Sequence, residues 1–357
     1  MKKRAIGSVK VVVFLLGFCL IFMQMQKVLH YRWDFYTYST NLYMKEQPEN
    51  YYDVIFLGSS DLKTAVYPQA MFQTNGITSF NCAMSDNTSA FSAYYLLEYL
   101  LRYQNPKVVC CDFSALYDEK LPSERETPYR KIVETMPDRD LKWKMIKDIH
   151  EMDPEQSALS YLFPMLRYHG IWNELKEENF EEDYVYHDLY EDYNNGCTLI
   201  NGTYEEKEPY DISPAMWETE PSEEPLSALN VEWYDKLIAL CQEKDIRVAA
   251  VFPPSLGESY DHAARWETTK AYLESRGVDM IDYNCYDAVH RLGLNVATDY
   301  IDDTHMSYRG SLKLSPDLAY ILYDRYGIPD RRGTEEAVQW EAQWDAFCED
   351  YGIEETN

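Results

Sequence analysis

Positive charge is the scarcest commodity in this chain: 33 Lys and Arg stand against 61 Asp and Glu in 357 residues, a formal charge of −28. Such a surface repels phosphates and argues against a nucleic-acid partner. It also slows an anionic polymer unless the cleft is locally basic or cations bridge. The eight cysteines, at 19, 82, 110, 111, 197, 241, 285 and 348, include no C-x-x-C pair and have no neighbouring pair of histidines, so a zinc site has no support. No Gly-x-Ser-x-Gly elbow occurs, which argues against a lipase or protease built around that turn. No repeat of fixed period is present. Long apolar runs are missing too, except at the very start.

That one run is Val11 to Met23, preceded by Lys2, Lys3, Arg4 and Lys10. No small-x-small cleavage site follows it, so an uncleaved signal anchor is expected rather than a removed signal peptide. A spanning helix needs roughly 20 residues, which extends the segment to Leu29 and brings Gln24, Gln26 and Lys27 toward an interface. The basic flank predicts an N-terminus inside and the bulk of the chain outside, a single-pass protein of the cell membrane. Residues 1–30 are thus read as anchor, 31–330 as one folded domain and 331–357 as a peripheral acidic tail. With 46% hydrophobic and 15% aromatic residues, the domain has ample material for a packed core.

After the anchor, strand and helix patterns alternate. Continuous apolar runs at 54–57, 79–83 and 108–113 read as strands covered on both faces. Residues 89–103 carry apolar side chains at helical spacing, with Thr88 as a cap and Pro106 beyond the end. Further on, 226–243, 263–275 and 308–326 read as helices, and 247–252 and 280–283 as strands. This alternation predicts an α/β fold with a central parallel sheet, its ligands gathered at the carboxyl ends of the strands. Residues 117–225 break the pattern. Rich in charge and tyrosine, with helical stretches at 130–151 and 157–176, they are expected to form a helical insertion bordering the cleft. Cys82, Cys110 and Cys111 fall in strands as small apolar residues, and an external location would permit a disulfide among Cys197, Cys241, Cys285 and Cys348.

Two short segments carry the chemistry. In Gly58-Ser59-Ser60-Asp61, the glycine permits a sharp turn after the first strand, and the serine beyond it is presented where free backbone N–H groups favour an oxyanion. In Asp302-Asp303-Thr304-His305, a carboxylate three residues before the histidine is placed to orient the ring and to stabilise the imidazolium formed when it takes a serine proton. Asp303 is expected to cap the helix opening near Ser307, and Gly310 to allow that helix close packing. Asp287 and His290 share the spacing, but within an apparent amphipathic helix.

These parts, in this order, resemble the SGNH/GDSL hydrolase superfamily, in the membrane-anchored branch that is similar to teichoic acid D-alanylation accessory proteins and polysaccharide O-acetylation proteins. The resemblance covers roughly residues 51–116 and 228–326. It implies a three-layer α/β/α, flavodoxin-like fold with Ser60 rather than Ser59 as nucleophile, His305 as base and then acid, and Asp302 as its orienter. No metal or diffusible cofactor is implied. Two middle blocks depart from the pattern. Ala83 and Asp86 stand where glycines are common after Asn81, and the third block's Gly-x-Asn is replaced by Cys111-Asp112-Phe113-Ser114. The missing asparagine is an oxyanion donor, so Asn81 or Asn87, beside Gly58 and the backbone of Ser60, are the candidates to replace it. Arg167 and His169, in a stretch shared with related anchored proteins, are candidate cleft-lining residues. The implied reaction is acyl transfer from an ester to water or to a sugar hydroxyl on an acylated polysaccharide or cell-wall polymer, with a membrane-bound O-acyltransferase as a possible partner. The alternative is a catalytically weak scaffold that binds such a polymer or enzyme.

Overall fold

The computed structural model describes residues 2–30, 45–86, 89–118, 120–180, 192–204 and 210–353. It opens with α1 (Lys2–Val28), whose stretch Val9–Val28 is long and apolar enough to cross a membrane and is not buried against the rest of the chain. The domain then alternates strand and helix. β1 (Val54–Leu57) leads into α2 (Ser60–Ala65) and α3 (Pro68–Asn75); β2 (Ser79–Asn81) is followed by α4 (Ala90–Leu100) and β3 (Val108–Cys111). The insertion supplies α5 (Thr127–Thr135), α6 (Arg139–Met152), α7 (Ala158–Leu162) and α8 (Met165–Tyr168), and shows no strand among the described residues. The alternation resumes with α9 (Ala228–Glu243), β4 (Arg247–Phe252), α10 (Ser259–Ser275) and β5 (Asp279–Asp282), then α11 (Tyr286–Arg291), α12 (Val296–Asp299), α13 (Tyr308–Tyr326) and α14 (Ala337–Tyr351).

The five strands form one wholly parallel sheet in the order β2-β1-β3-β4-β5. Because side chains alternate along a strand, each strand feeds two cores. Ile55, Leu57, Val109, Cys111, Val248 and Ala250 join α4, α9 and insertion residues such as Ile132 and Met145 on one face. Val54, Phe56, Val108, Cys110, Ala249 and Val251 meet α2, α3, α11 and α13 on the other. This is the expected three-layer α/β arrangement, and its strand order puts the topological switch point between β1 and β3, the crevice where ligands of such sheets bind.

Several expectations change. The segment after Pro329 is no peripheral tail: α14 packs on α3, with Trp340 fully buried and stacked on Phe72 at 5.1 Å between ring centres. Trp340, Trp344, Phe347 and Tyr351 recur at helical spacing, but abundant acids hide the pattern. The first and last β1–β3 helices also differ from the reading. Two short helices that the sequence did not announce occupy 60–75, split by Pro68 at the start of α3. Thr88 lies outside the described residues, and Ser89 precedes α4 without a side-chain cap. All eight cysteines are free, so the disulfide that an external location permits among Cys197, Cys241, Cys285 and Cys348 is not formed. Asp303 does not cap α13; it accepts hydrogen bonds from Tyr204 and Tyr210, and Ser307 holds the cap position. Gly310 does allow close approach, since a Cβ there would fall on the Asp299 carbonyl.

Candidate active site

Ser60 and His305, 245 residues apart, meet because their helices pack together. α13 lies along α2 and α3. Ser315 Oγ accepts from Tyr67 N at 2.8 Å, and Met306 N donates to Thr64 Oγ1 at 3.3 Å. The loop ahead of α13 therefore delivers His305 to the start of α2. Its Nε2 lies 2.8 Å from Ser60 Oγ, and its Nδ1 lies 2.7 Å from Asp302 Oδ2. With Nδ1–H donated to Asp302, Nε2 is free to accept the serine proton.

Asp302 is itself anchored. Its Oδ1 accepts from Thr304 N at 2.8 Å and from His305 N at 2.7 Å. Partial burial works against its charge, but the His305 ring and these two N–H groups prevail and hold the carboxyl below its usual range. The Asp302 carboxyl therefore stays ionised.

The adjacent serine is bound elsewhere. Ser59 donates from both N (2.6 Å) and Oγ (2.7 Å) to Asp112 Oδ2, while Ser114 N donates to Oδ1 at 3.0 Å. Asp112 thus sits buried at the carboxyl end of β3 and ties the β1 turn to the β3 turn. The absence of a side chain at Gly58 makes this possible: the residue has φ +156°, and a Cβ would collide with the Asp112 carboxylate. Gly58 therefore shapes the turn.

The expected oxyanion donors fare differently. Asn81 is fully buried, its Nδ2 donating to Leu62 O at 3.0 Å and Val66 O at 2.9 Å, and its Oδ1 accepting from Ala83 N. It fastens α2 to β2 instead of facing the serine. Asn87 lies outside the described residues. Where the third block would supply an asparagine donor, Asp112 supplies an acceptor. Donors at the head of α2 are backbone N–H groups of its first turn, which have no acceptor within the helix. Arg167 and His169 do not line the cleft either. Arg167 pairs with Glu126 at 2.8 Å, and His169 Nδ1 contacts Leu166 O.

A cleft of about 500 Å³ opens next to the serine, walled by Phe252, Tyr117 and Leu116 and lined by Ser59, Asp61, Asp112, Glu258, His262 and Arg265. Among the described residues of the insertion, only its start, Tyr117, Asp118 and Lys120, borders it. Asp61 has Oδ1 3.8 Å from His305 Nε2. Burial first, and the Glu258 carboxylate second, push its carboxyl up to about 7 against the pull of His305. Glu258 is raised by burial and by Asp112; Asp112 is raised by burial against its hydrogen bonds from Ser59 and Ser114. His262 forms a second histidine–carboxylate contact, 3.1 Å to Asp282 Oδ1. The sequence brought Ser59, Asp61 and Asp112 into view as parts of its motif segments but gave the two carboxylates no role, and Glu258, His262 and Arg265 carried no signal. Asp61 adjoins the serine and Asp112 ends a strand beside the switch point, and those positions were the available signals.

Compared with known protein families and with curated proteins, the chain matches no family model and no curated relative. Among the described residues, no cluster of His, Cys, Asp and Glu has the arrangement of a metal site.

Proposed function

We propose that this chain is a membrane-anchored serine esterase or O-acyltransferase of the SGNH type, acting on acyl esters of a cell-envelope or secreted polysaccharide. The observation that carries the reading is the continuous hydrogen-bonded line Ser60 Oγ, His305 Nε2, His305 Nδ1, Asp302 Oδ2, with contacts of 2.8 and 2.7 Å. In this reading Ser60 Oγ attacks the ester carbonyl as its proton passes to His305 Nε2. Collapse of the tetrahedral intermediate breaks the ester C–O bond, and the leaving alkoxide takes that proton. An acyl group is left on Ser60. Water or a sugar hydroxyl, deprotonated by His305, then attacks the acyl-enzyme; the collapse of that second intermediate returns a proton to Ser60 Oγ and releases acid or new ester. Backbone N–H groups at the head of α2 would receive the oxyanion.

The anchor is α1, with Lys2, Lys3, Arg4 and Lys10 on the cytoplasmic side and the catalytic domain outside. The acylated polymer and a membrane-bound O-acyltransferase are the partners this location favours. A second reading, a catalytically weak scaffold for such a polymer or enzyme, is favoured by one specific observation: Asn81 is committed to backbone carbonyls and Asp112 offers no donor. Loss of one oxyanion donor costs about 3 kcal/mol of transition-state stabilisation.

Labelling by a fluorophosphonate probe decides between them. The wild-type protein is expected to label covalently and Ser60→Ala not at all, with ester hydrolysis falling roughly 10⁶-fold in kcat. Absence of label on the wild type would sink the hydrolase reading and leave the scaffold.

A further inference from the structure

The middle of the insertion exposes large apolar side chains that join no core among the described residues: Leu159, Phe163, Leu166, Trp172 (70% exposed) and Phe180 (63%). Both ends of this stretch touch α1. Phe163 meets Phe22 edge-on with ring centres 5.4 Å apart, Met165 N donates to Gln26 Oε1 at 3.0 Å, and the turn Glu177–Phe180 also lies against α1. Trp172 is carried between the two contacts.

The Phe22 and Gln26 contacts fall inside the apolar stretch Val9–Val28, not beyond its end. At 1.5 Å per residue, Phe22 lies about 9 Å from the Val28 end. Amphipathic surface elements sit at that depth, about 5–10 Å into the boundary between headgroups and acyl chains. A segment packed on Phe22 must therefore enter lipid if α1 crosses a membrane. Its backbone suits that solvent, which offers few partners: Phe163 N bonds Leu159 O, Leu166 N bonds Phe163 O, Arg167 N and Tyr168 N bond Pro164 O, and Glu174 N bonds Ile171 O. The Arg167 charge turns back to Glu126.

We propose that residues 159–180 form a second membrane contact, lying in the interface of the leaflet on the side of the α/β domain, with Trp172 as the lipid-facing anchor. The proposal rests on the reading of α1 as a membrane anchor. Its consequence is rotational: one helix tethers the domain but lets it swivel, whereas two contacts hold the domain in one orientation to the bilayer.

The test uses the full chain reconstituted into lipid-only nanodiscs of phosphatidylcholine, with and without bromine on the acyl chains, and follows tryptophan emission in wild type and Trp172→Phe. The expected result is a component quenched by brominated lipid in the wild type and missing from the variant. Equal quenching in both proteins overturns the proposal. Flotation of the same wild-type protein with vesicles separates the two readings. Failure to float removes the anchor and the proposal together, whereas flotation without Trp172 quenching leaves the anchor standing and overturns the interfacial contact. Shielding of Trp172 in native membranes but not in lipid-only discs also overturns it, and assigns the surface to a membrane protein.

Discussion

Ser59 and Ser60 are chemically identical neighbours, and their partners alone separate them. Ser59 faces an acceptor-only carboxylate that fixes it in the turn, whereas Ser60 faces an imidazole able to take its proton. The ring is useful only in the tautomer that Asp302 selects. Asp302→Asn is therefore expected to lower kcat roughly 10⁴-fold with KM unchanged, measured on a simple acyl ester; a loss confined to KM would contradict the orienting role. Asp61 tests the electrostatics of the cleft. Its carboxyl is raised from 3.8 to about 7, so the native state keeps a proton that the unfolded chain releases. Its contribution accordingly makes stability fall as pH rises from the ordinary carboxyl range to about 7. Asp61→Asn removes that contribution. Thermal melts across this window should show a flatter decline for the variant, and parallel curves would reject the assignment.

Elements differ in how plainly they announce themselves. β1, β4 and α13 coincide with the bounds read from the sequence, because buried parallel strands are continuous apolar runs and a long two-faced helix repeats its period several times. α2 and α3 are too short to repeat a period, and their helicity follows from packing under α13. The same tertiary contact makes α14 structural despite its acidic composition. Trp340, stacked on Phe72 and Tyr51, should be expensive to remove: Trp340→Ala is expected to cost about 3–5 kcal/mol, read as a lower urea midpoint with unchanged m-value. A change below about 1 kcal/mol would return α14 to the status of a tail.

For the whole molecule, the parallel sheet and its strand order put the serine turn and the Asp112 turn side by side at the β1–β3 switch point. Among the described residues, the insertion borders that crevice at Tyr117, Asp118 and Lys120. It thickens the α4 layer and directs its apolar middle stretch toward α1. An overall charge of −28 disfavours an anionic ligand.

By itself the sequence determined the strands, the longer helices, the membrane-compatible first helix and the Asp302–His305 pair, because each depends on residues close together in the chain. Only the tertiary structure decided how closely Ser60 meets His305, that Asn81 binds the α2 backbone, that Asp112 takes its hydrogen bonds from Ser59 and Ser114, and that Asp61 and Glu258 share a cleft. Hydrogen bonds and charges at a site depend on distance in space, and sequence separations of 245 and 53 residues carry no record of the 2.8 and 2.7 Å contacts they become.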